Sequence, residues 1–413
     1  MNALAPSRRL LAINNYFYRR GGAEAVFLDH MQLFAEAGWQ VAPFAMQGDK
    51  NLPSEWDEYF VSEIELGHQP GLLTKLNHAR KIIYSHEAQR NIAALIERFK
   101  PQVAHAHNVY HHLSPAIFQT LKAAGVPTVM TAHDLKIACP AYTMLSHGKV
   151  CEKCKGGNIT NVVLNRCAKG SLALSGLLLV ETGVHRALGL YRNYLDRIAV
   201  PSRFYLDKFV EWGWPREQLI HIPNFVDPSF LAEDARAEGD YFLFAGRLSP
   251  EKGIHTLIEA VALTGLRLIV AGSGPDEAML RQRAEQLGAA VEFVGHVSGP
   301  ALRQLIGAAK ALVLPSEWYE NAPVSVLEAY GLGRPVIGAD IGGIPELVRD
   351  GETGLLARSG DVQSLAAMLS RMEGLGATRR AQMGAAGKAW VSVEFSAHAY
   401  RARMTELYGE LVG

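Results

Sequence analysis

The feature that most restricts this chain is a repeated unit: a short apolar run, a loop marked by glycine or proline, then a helical stretch. Residues 311–314 read Ala-Leu-Val-Leu and stop at Pro315. A run of that length without polar alternation is a strand buried on both faces of a parallel sheet. The unit recurs at 10–13, 241–247, 266–271 and 291–295, while 103–107 and 128–133 place polar residues at their C-terminal ends. Repeated strand–helix units build open α/β sheets whose ligands sit beyond the C-terminal strand ends. At 413 residues there is chain enough for two such domains.

The stretch from 314 to 348 carries the densest chemistry. After Pro315 a loop holds Glu320, and Pro323 suits the first turn of a helix because its missing N–H costs nothing there. The helix runs past Glu328 and is stopped by Gly331 and Gly333. Asn321, Ala322, Pro323 and Val324 thus form its entrance, where free amides and the positive end of the dipole favour an anion. Carboxylates at Glu320 and Glu328 can accept hydrogen bonds from sugar and ribose hydroxyls. The layout suggests a nucleotide-sugar site; the spacing taken alone also fits an acidic loop before a solvated helix face.

Charge excludes one class of partner. Lys and Arg total 41 and Asp and Glu 41, so no overall field attracts nucleic acid. No apolar run reaches bilayer length; the nearest, 172–180, is short and contains Ser175 and Gly176. Residues 10–13 are strand-length and lack a signal-peptide core, so a cytoplasmic protein is expected, with contact at the inner face of a membrane as an option. Two stretches bear on that option. A helical region at 70–99 shows a basic face of Lys75, His78, Arg80, Lys81, Arg90 and Arg98, either solvated or resting on anionic headgroups. The apolar helix at 171–194 reads as core, with a lipid-facing lip as the alternative.

Other candidates line the strand ends. The first strand leads to Tyr16, Tyr18 and Gly21-Gly22-Ala23-Glu24 before a helix, so the backbone at Gly21 and Gly22 can approach a phosphate. The pattern is not G-x-G-x-x-G, and no dinucleotide fingerprint is indicated. His107, Asn108, His133 and Asp134 are cleft candidates, whereas His105, His111 and His112 read as helix-start or surface residues. Arg247 and Lys252 stand at a strand end and a helix start, a setting suited to a diphosphate. Ser202 reads as a helix cap closing a first domain at 1–200; a second follows at 201–385, with a polar linker at 233–240, and a final helix at 386–413 has aromatic residues to pack across both.

All four cysteines fall in one insert, 139–167. Cys139, Cys151, Cys154 and Cys167 are spaced C-x11-C-x2-C-x12-C, the ligand count of a tetrahedral zinc site, with Gly148, Gly156 and Gly157 for tight turns. Unligated thiols, disulfides and an iron–sulfur cluster are the alternatives. Four closed ligands would brace the insert and leave no catalytic position.

With these residues in place, the chain resembles the retaining glycosyltransferases of family 4 with the GT-B fold. The resemblance rests on Gly21-Gly22-Ala23-Glu24, His133, the octet Gly246-Arg247-Leu248-Ser249-Pro250-Glu251-Lys252-Gly253, and Glu320-x7-Glu328; Gly342-Gly343 and Gly351-Glu352-Thr353-Gly354 add to it. It implies two Rossmann-like domains facing across a cleft, with a UDP- or GDP-linked hexose donor held mainly by the second. By the same resemblance Arg247 and Lys252 bind the diphosphate, Glu328 the ribose and Glu320 the transferred sugar. His133 would reach that sugar from the opposite domain, Gly21 and Gly22 would lie near the phosphates, and the backbone near Val297 would meet the base. Retention without a catalytic metal, onto a lipid-linked or saccharide acceptor in surface polysaccharide biosynthesis, is the implied reaction. One departure concerns sugar identity: many members carry an aromatic–glycine pair where this chain has Asn321-Ala322-Pro323. The competing readings are a phosphorylase or nucleotide-sugar epimerase on the same fold, and a non-catalytic metal-binding scaffold.

Overall fold

The computed structural model describes residues 8–64, 72–233 and 236–413. Two six-stranded sheets organise it, and every pairing within them is parallel. The first sheet runs Gln40–Phe44, Arg9–Ile13, Val103–Ala106, Thr128–Thr131, Arg197–Val200, Leu219–His221. The second runs Val291–Gly295, Arg267–Ala271, Tyr241–Ala245, Leu312–Leu314, Val336–Asp340, Gly354–Arg358. This is the expected two-lobed α/β architecture of the GT-B fold.

Strand periodicity explains the layers. In Tyr241–Ala245, Phe242 and Phe244 join one core with Leu257, Val313 and Leu369. Tyr241 and Leu243 join another with Tyr330, Val336 and Val391. Successive side chains point to opposite faces, so an uninterrupted apolar strand feeds two cores at once.

Both sheets reverse direction of growth next to their first strand, and a crevice opens at such a switch point. In the first lobe the crevice lies between the ends of Arg9–Ile13 and Val103–Ala106; in the second it lies between those of Tyr241–Ala245 and Leu312–Leu314. Strand order alone therefore brings the loop after residue 13 to His107, and the loop after residue 245 to Glu320.

The structure differs from expectation in four places. Leu219–His221 pairs with Arg197–Val200, so the first sheet extends past residue 200 and the lobe boundary falls after residue 221. Ser202 does cap the helix Arg203–Glu211, accepting from Tyr205 N–H at 3.2 Å. The C-terminal crossing starts at 397 rather than 386. Gly376–Glu394 packs on the second lobe, whereas Ala397–Val412 buries Tyr400, Met404, Leu407 and Tyr408 against Leu10, Phe34 and Val103 of the first. Region 70–99 is two helices, Leu72–Ile83 and His86–Phe99, the second capped by Ser85; residues 70 and 71 and the Lys75 side chain lie outside the described residues. Finally, the helix Leu172–Ala187 is turned against the hydropathy rule. It buries Ser175, Glu181, Thr182 and His185, while Leu172 and Val180 are 58% and 52% exposed. A buried ion pair drives this: Glu181 meets Lys136 at 2.8 Å, and a charge taken from water must keep its partner.

Candidate active site

On the second lobe, Gly253 ends the turn Pro250–Lys252 at φ 68°, where a side chain would strike the carbonyl of Pro315. That close approach brings Lys252 Nζ to 2.6 Å from Glu320 Oε1, and Ser316 Oγ donates to the same oxygen at 2.7 Å. Gly342, at φ 62°, packs on the backbone of Glu320, leaving no room for a side chain. Burial alone would raise the Glu320 carboxyl, but Lys252, Trp318 and Ser316 outweigh it and hold it below the ordinary range. Glu320 is thus a buried, ionised acceptor. Arg247 is exposed and makes no ion pair among the described residues, so its guanidinium is available to an anion.

Glu328 is governed by the opposite balance. It lies in the helix Val324–Gly331, which Pro323 precedes as the cap residue rather than its first turn. Burial, then repulsion from Asp227 and Asp29, lifts its carboxyl to about 7, with Arg19 opposing. Asp29 and Arg19 come from the first lobe and pair with each other, so the helix starting at Gly22 faces Glu328 across the cleft. Gly21 and Gly22 themselves are exposed. Val297 lies beyond the strand Val291–Gly295 at the sheet's far end, partly buried against the second-lobe core.

The first lobe contributes neutral groups. His133 follows the strand Thr128–Thr131, and its Nε2 lies 2.7 Å from His107 Nδ1. His107 stacks on His133 and on His105 at 5.0 and 4.8 Å between ring centroids. Burial lowers His133 to about 4 and holds His105 and His107 well below the usual imidazole range, so the column is uncharged at neutral pH. His105, read from sequence as peripheral, is fully buried, and His112 is buried beside Tyr16, 3.1 Å from its hydroxyl.

The column is anchored by the last helix. Tyr408 bridges His105 Nδ1 and His30 Nε2, and Tyr400 lies 2.9 Å from His30 Nδ1. Ligand atoms of His30, His105 and His107 lie within 4.8 Å of one another, a spacing open to a metal ion. Four of the six ring nitrogens already engage Tyr400, Tyr408 or Thr131, and His107 Nδ1 engages His133; only His107 Nε2 is left without a partner. The cluster is accordingly a hydrogen-bonded brace.

Asn321 plays a part its sequence position does not announce. Its side chain accepts from Ser202 Oγ at 2.8 Å and donates to the carbonyls of Ala132 and His133 at 2.9 and 3.3 Å. It bolts the donor-side loop to the residue presenting His133. Asn224 donates to Ala322 O at 2.9 Å from the other side. Sequence reading also missed Lys136 and Glu181, because two charges 45 residues apart signal nothing until the fold pairs them. A pocket beneath His133 is lined by His107, Asn108, Tyr110, Asp134 and Lys136.

The cysteines are free, and all four line one cavity with Met144, Val162 and Trp212. The insert also reaches the cleft. Burial raises the Tyr142 phenol while Arg247 and Arg20 pull it down, which places cations of both lobes near this residue.

Sequence models of two families match the chain: Glycosyltransferase Family 4 over residues 20–230 and Glycosyl transferases group 1 over residues 230–390. The chain belongs to the family 4 (group 1) glycosyltransferases. It is 30% identical over 252 residues to a glycogen synthase of Mycobacterium tuberculosis, covering 58% of this chain and 59% of that protein. It is 33% identical over 249 residues to a GDP-mannose-dependent phosphatidylinositol monomannoside mannosyltransferase of Corynebacterium glutamicum, covering 54% and 65%. The chain thus spans about three fifths of the length of these relatives. Among solved structures, sucrose-phosphate synthase of Thermosynechococcus elongatus superposes with TM-score 0.71 at 20% identity, covering 98% of this chain and 99% of that one. HepE of Anabaena, solved in complex with UDP, gives 0.67 at 19%, covering 98% and 100%. These two likenesses carry the fold.

Proposed function

We propose that the protein is a retaining hexosyltransferase that takes a UDP- or GDP-hexose and extends a lipid-linked or saccharide acceptor in surface polysaccharide biosynthesis. The observation that carries this reading is the Lys252–Glu320 pair, 2.6 Å apart at the second lobe's switch point, with Arg247 on the same strand-to-turn segment making no ion pair among the described residues. A nucleotide diphosphate leaving group gains charge as the glycosidic bond breaks, and two cations with the helix entrance at Asn321–Val324 neutralise it. Glu320 accepts from a hydroxyl of the transferred hexose, Glu328 from the ribose, and neutral His133 reaches the sugar from the first lobe. Gly21 and Gly22 lie alongside the phosphates, and the backbone at Val297 meets the base. In the retaining step the bond from the anomeric carbon to phosphate oxygen breaks, the acceptor oxygen bonds to that carbon on the same face, and the leaving phosphate takes the acceptor's proton.

Two similar proteins support the donor range: the Corynebacterium enzyme is named for GDP-mannose, and HepE has been solved with UDP-glucose. The outward leucines favour a lipid-linked acceptor. Leu172 and Val180 in the helix Leu172–Ala187 and Leu164 just before it stand 58%, 52% and 76% exposed, and Arg166, Lys169 and Arg186 are exposed in the same stretch. Apolar side chains rimmed by cations suit an anionic membrane face. Among the described residues no helix is long and apolar enough to cross a membrane. The test is nucleotide release from a panel of UDP-, GDP- and ADP-sugars, with and without lipid-linked acceptor extract. Release from one donor, accelerated by the extract and lost in Glu320→Ala, is expected. Acceptor-independent turnover would point to an epimerase, and absence of turnover by folded protein would remove the transferase reading.

A further inference from the structure

We propose that Cys139, Cys151, Cys154 and Cys167 bind one zinc ion, and that Glu152 couples this centre to the loop carrying Glu320. The four thiols come from separate turns of the insert yet line one cavity, and none is in a disulfide. Cys151 is delivered by a tiny hairpin, Leu145–Ser146 with Lys149–Val150, whose His147 and Gly148 both have positive φ. Beyond it the chain turns back on itself: Lys155 N–H donates to Glu152 O at 3.0 Å and Gly157 N–H to Cys154 O at 3.2 Å. Cys167 follows the four-residue helix Asn161–Leu164.

The insert has little else to hold it. Its regular structure is two two-residue strands, a three-residue turn of 3-10 helix and that one short helix. Among the described residues, four of the eight non-glycine positions with positive φ lie in it, Tyr142, Met144, His147 and Arg166, and a fifth, Lys169, follows just after. Ala141, Met144 and Val162 are the insert's buried apolar anchors, and for so irregular a segment a cross-link is the usual further support. Four cysteine sulfurs select a soft, tetrahedral ion, of which zinc is the commonest. The thiols are not among the groups whose ligand atoms lie within 4.8 Å of one another, so an ion in the cavity would draw them inward.

Coupling follows from the residue between the paired thiols. Glu152 accepts from Tyr319 Oη at 3.0 Å and pairs with Lys208 at 2.9 Å. Tyr319 immediately precedes Glu320, its carbonyl accepts from Tyr205 Oη at 2.8 Å, and its ring meets Phe204 edge-on at 4.8 Å. A braced insert therefore holds the first-lobe side of the donor loop, with Glu152 as a positioning residue. This second half rests on the reading of Glu320 given above; the metal centre does not.

The experiment takes full-length protein expressed with zinc and iron both present. Elemental analysis should find about one zinc per chain, and cobalt exchanged into the native protein should give the charge-transfer bands of a four-thiolate tetrahedral site. Cys154→Ser should lose the metal; should that variant fail to fold, protection of the native thiols from alkylation, lost on adding chelator, gives the same answer. Freely reactive thiols with no bound metal would overturn the centre, and iron with sulfide would overturn zinc. For the coupling, Glu152→Ala should keep its zinc and raise donor KM about tenfold with kcat little changed. Tyr319→Phe should match it, and the double variant should add nothing. An unchanged KM with zinc bound would overturn the coupling alone, and an inactive wild type would leave the metal measurement to decide the centre by itself.

Discussion

The two lobes repeat one plan, a six-stranded parallel sheet with a crevice beside its first strand, yet they furnish that crevice in opposite ways. The second lobe presents charge: Arg247, without an ion pair among the described residues, and Lys252 against an ionised Glu320. The first presents a stack of buried neutral imidazoles ending at His133. On the proposed reading, one fold separates binding of a charged diphosphate from contact with an uncharged sugar. The Lys252–Glu320 pair lies on the second lobe, and the imidazoles of the first offer hydrogen bonds that do not change with pH near neutrality.

The sharpest break of that contrast is Lys252→Ala. It removes the nearest cation and strands a buried carboxylate, and turnover of donor should fall ~100- to 1,000-fold, measured as initial rate at saturating donor. Glu328 tests whether charge in the second lobe is controlled residue by residue. Its folded pKa of about 7 lies above the ordinary 4.5, so the folded protein takes up a proton between those values. Stability from this group is complete below about 4.5 and is lost as pH rises through about 7. Glu328→Gln should flatten urea-unfolding stability across that window and at pH 8 exceed the wild type by up to ~3 kcal/mol.

On the neutral side, Tyr408→Phe leaves His105 Nδ1 and His30 Nε2 buried without their shared partner, and should cost about 1–3 kcal/mol of stability by the same measurement. The smallest effect belongs to His133→Ala. Loss of one neutral hydrogen bond should lower kcat about tenfold, and the wild-type rate should show no ionisation near pH 6–7 attributable to it. A histidine limb in that range, abolished by the substitution, would mean the first lobe carries charge after all.

Much of the second lobe could be read from the sequence because its signals are local. Strand ends, the glycines at 246 and 253, and a proline-led helix entrance place Arg247, Lys252 and Glu320 within a few residues of an element boundary. Once the sheet order is known they must converge. The first lobe hid its chemistry in long-range pairings. His105 looked peripheral because nothing nearby in sequence announces Tyr408, which arrives from the last helix. The helix Leu172–Ala187 read as core from its leucines, but the Lys136–Glu181 pair fixes its orientation and leaves several of them outward. Asn321 was read as part of the helix entrance, and its side chain is spent on holding the lobes together.

The measurement that bears most directly on the division of labour is calorimetric titration with UDP and GDP beside their parent nucleosides, on wild type and on Arg247→Ala/Lys252→Ala. If the second lobe's cations hold the diphosphate, one diphosphate should bind far more tightly than its nucleoside, and the double variant should erase that gap while leaving nucleoside binding in place. Equal affinity for diphosphate and nucleoside in the wild type, or a gap that survives the double substitution, would contradict the account.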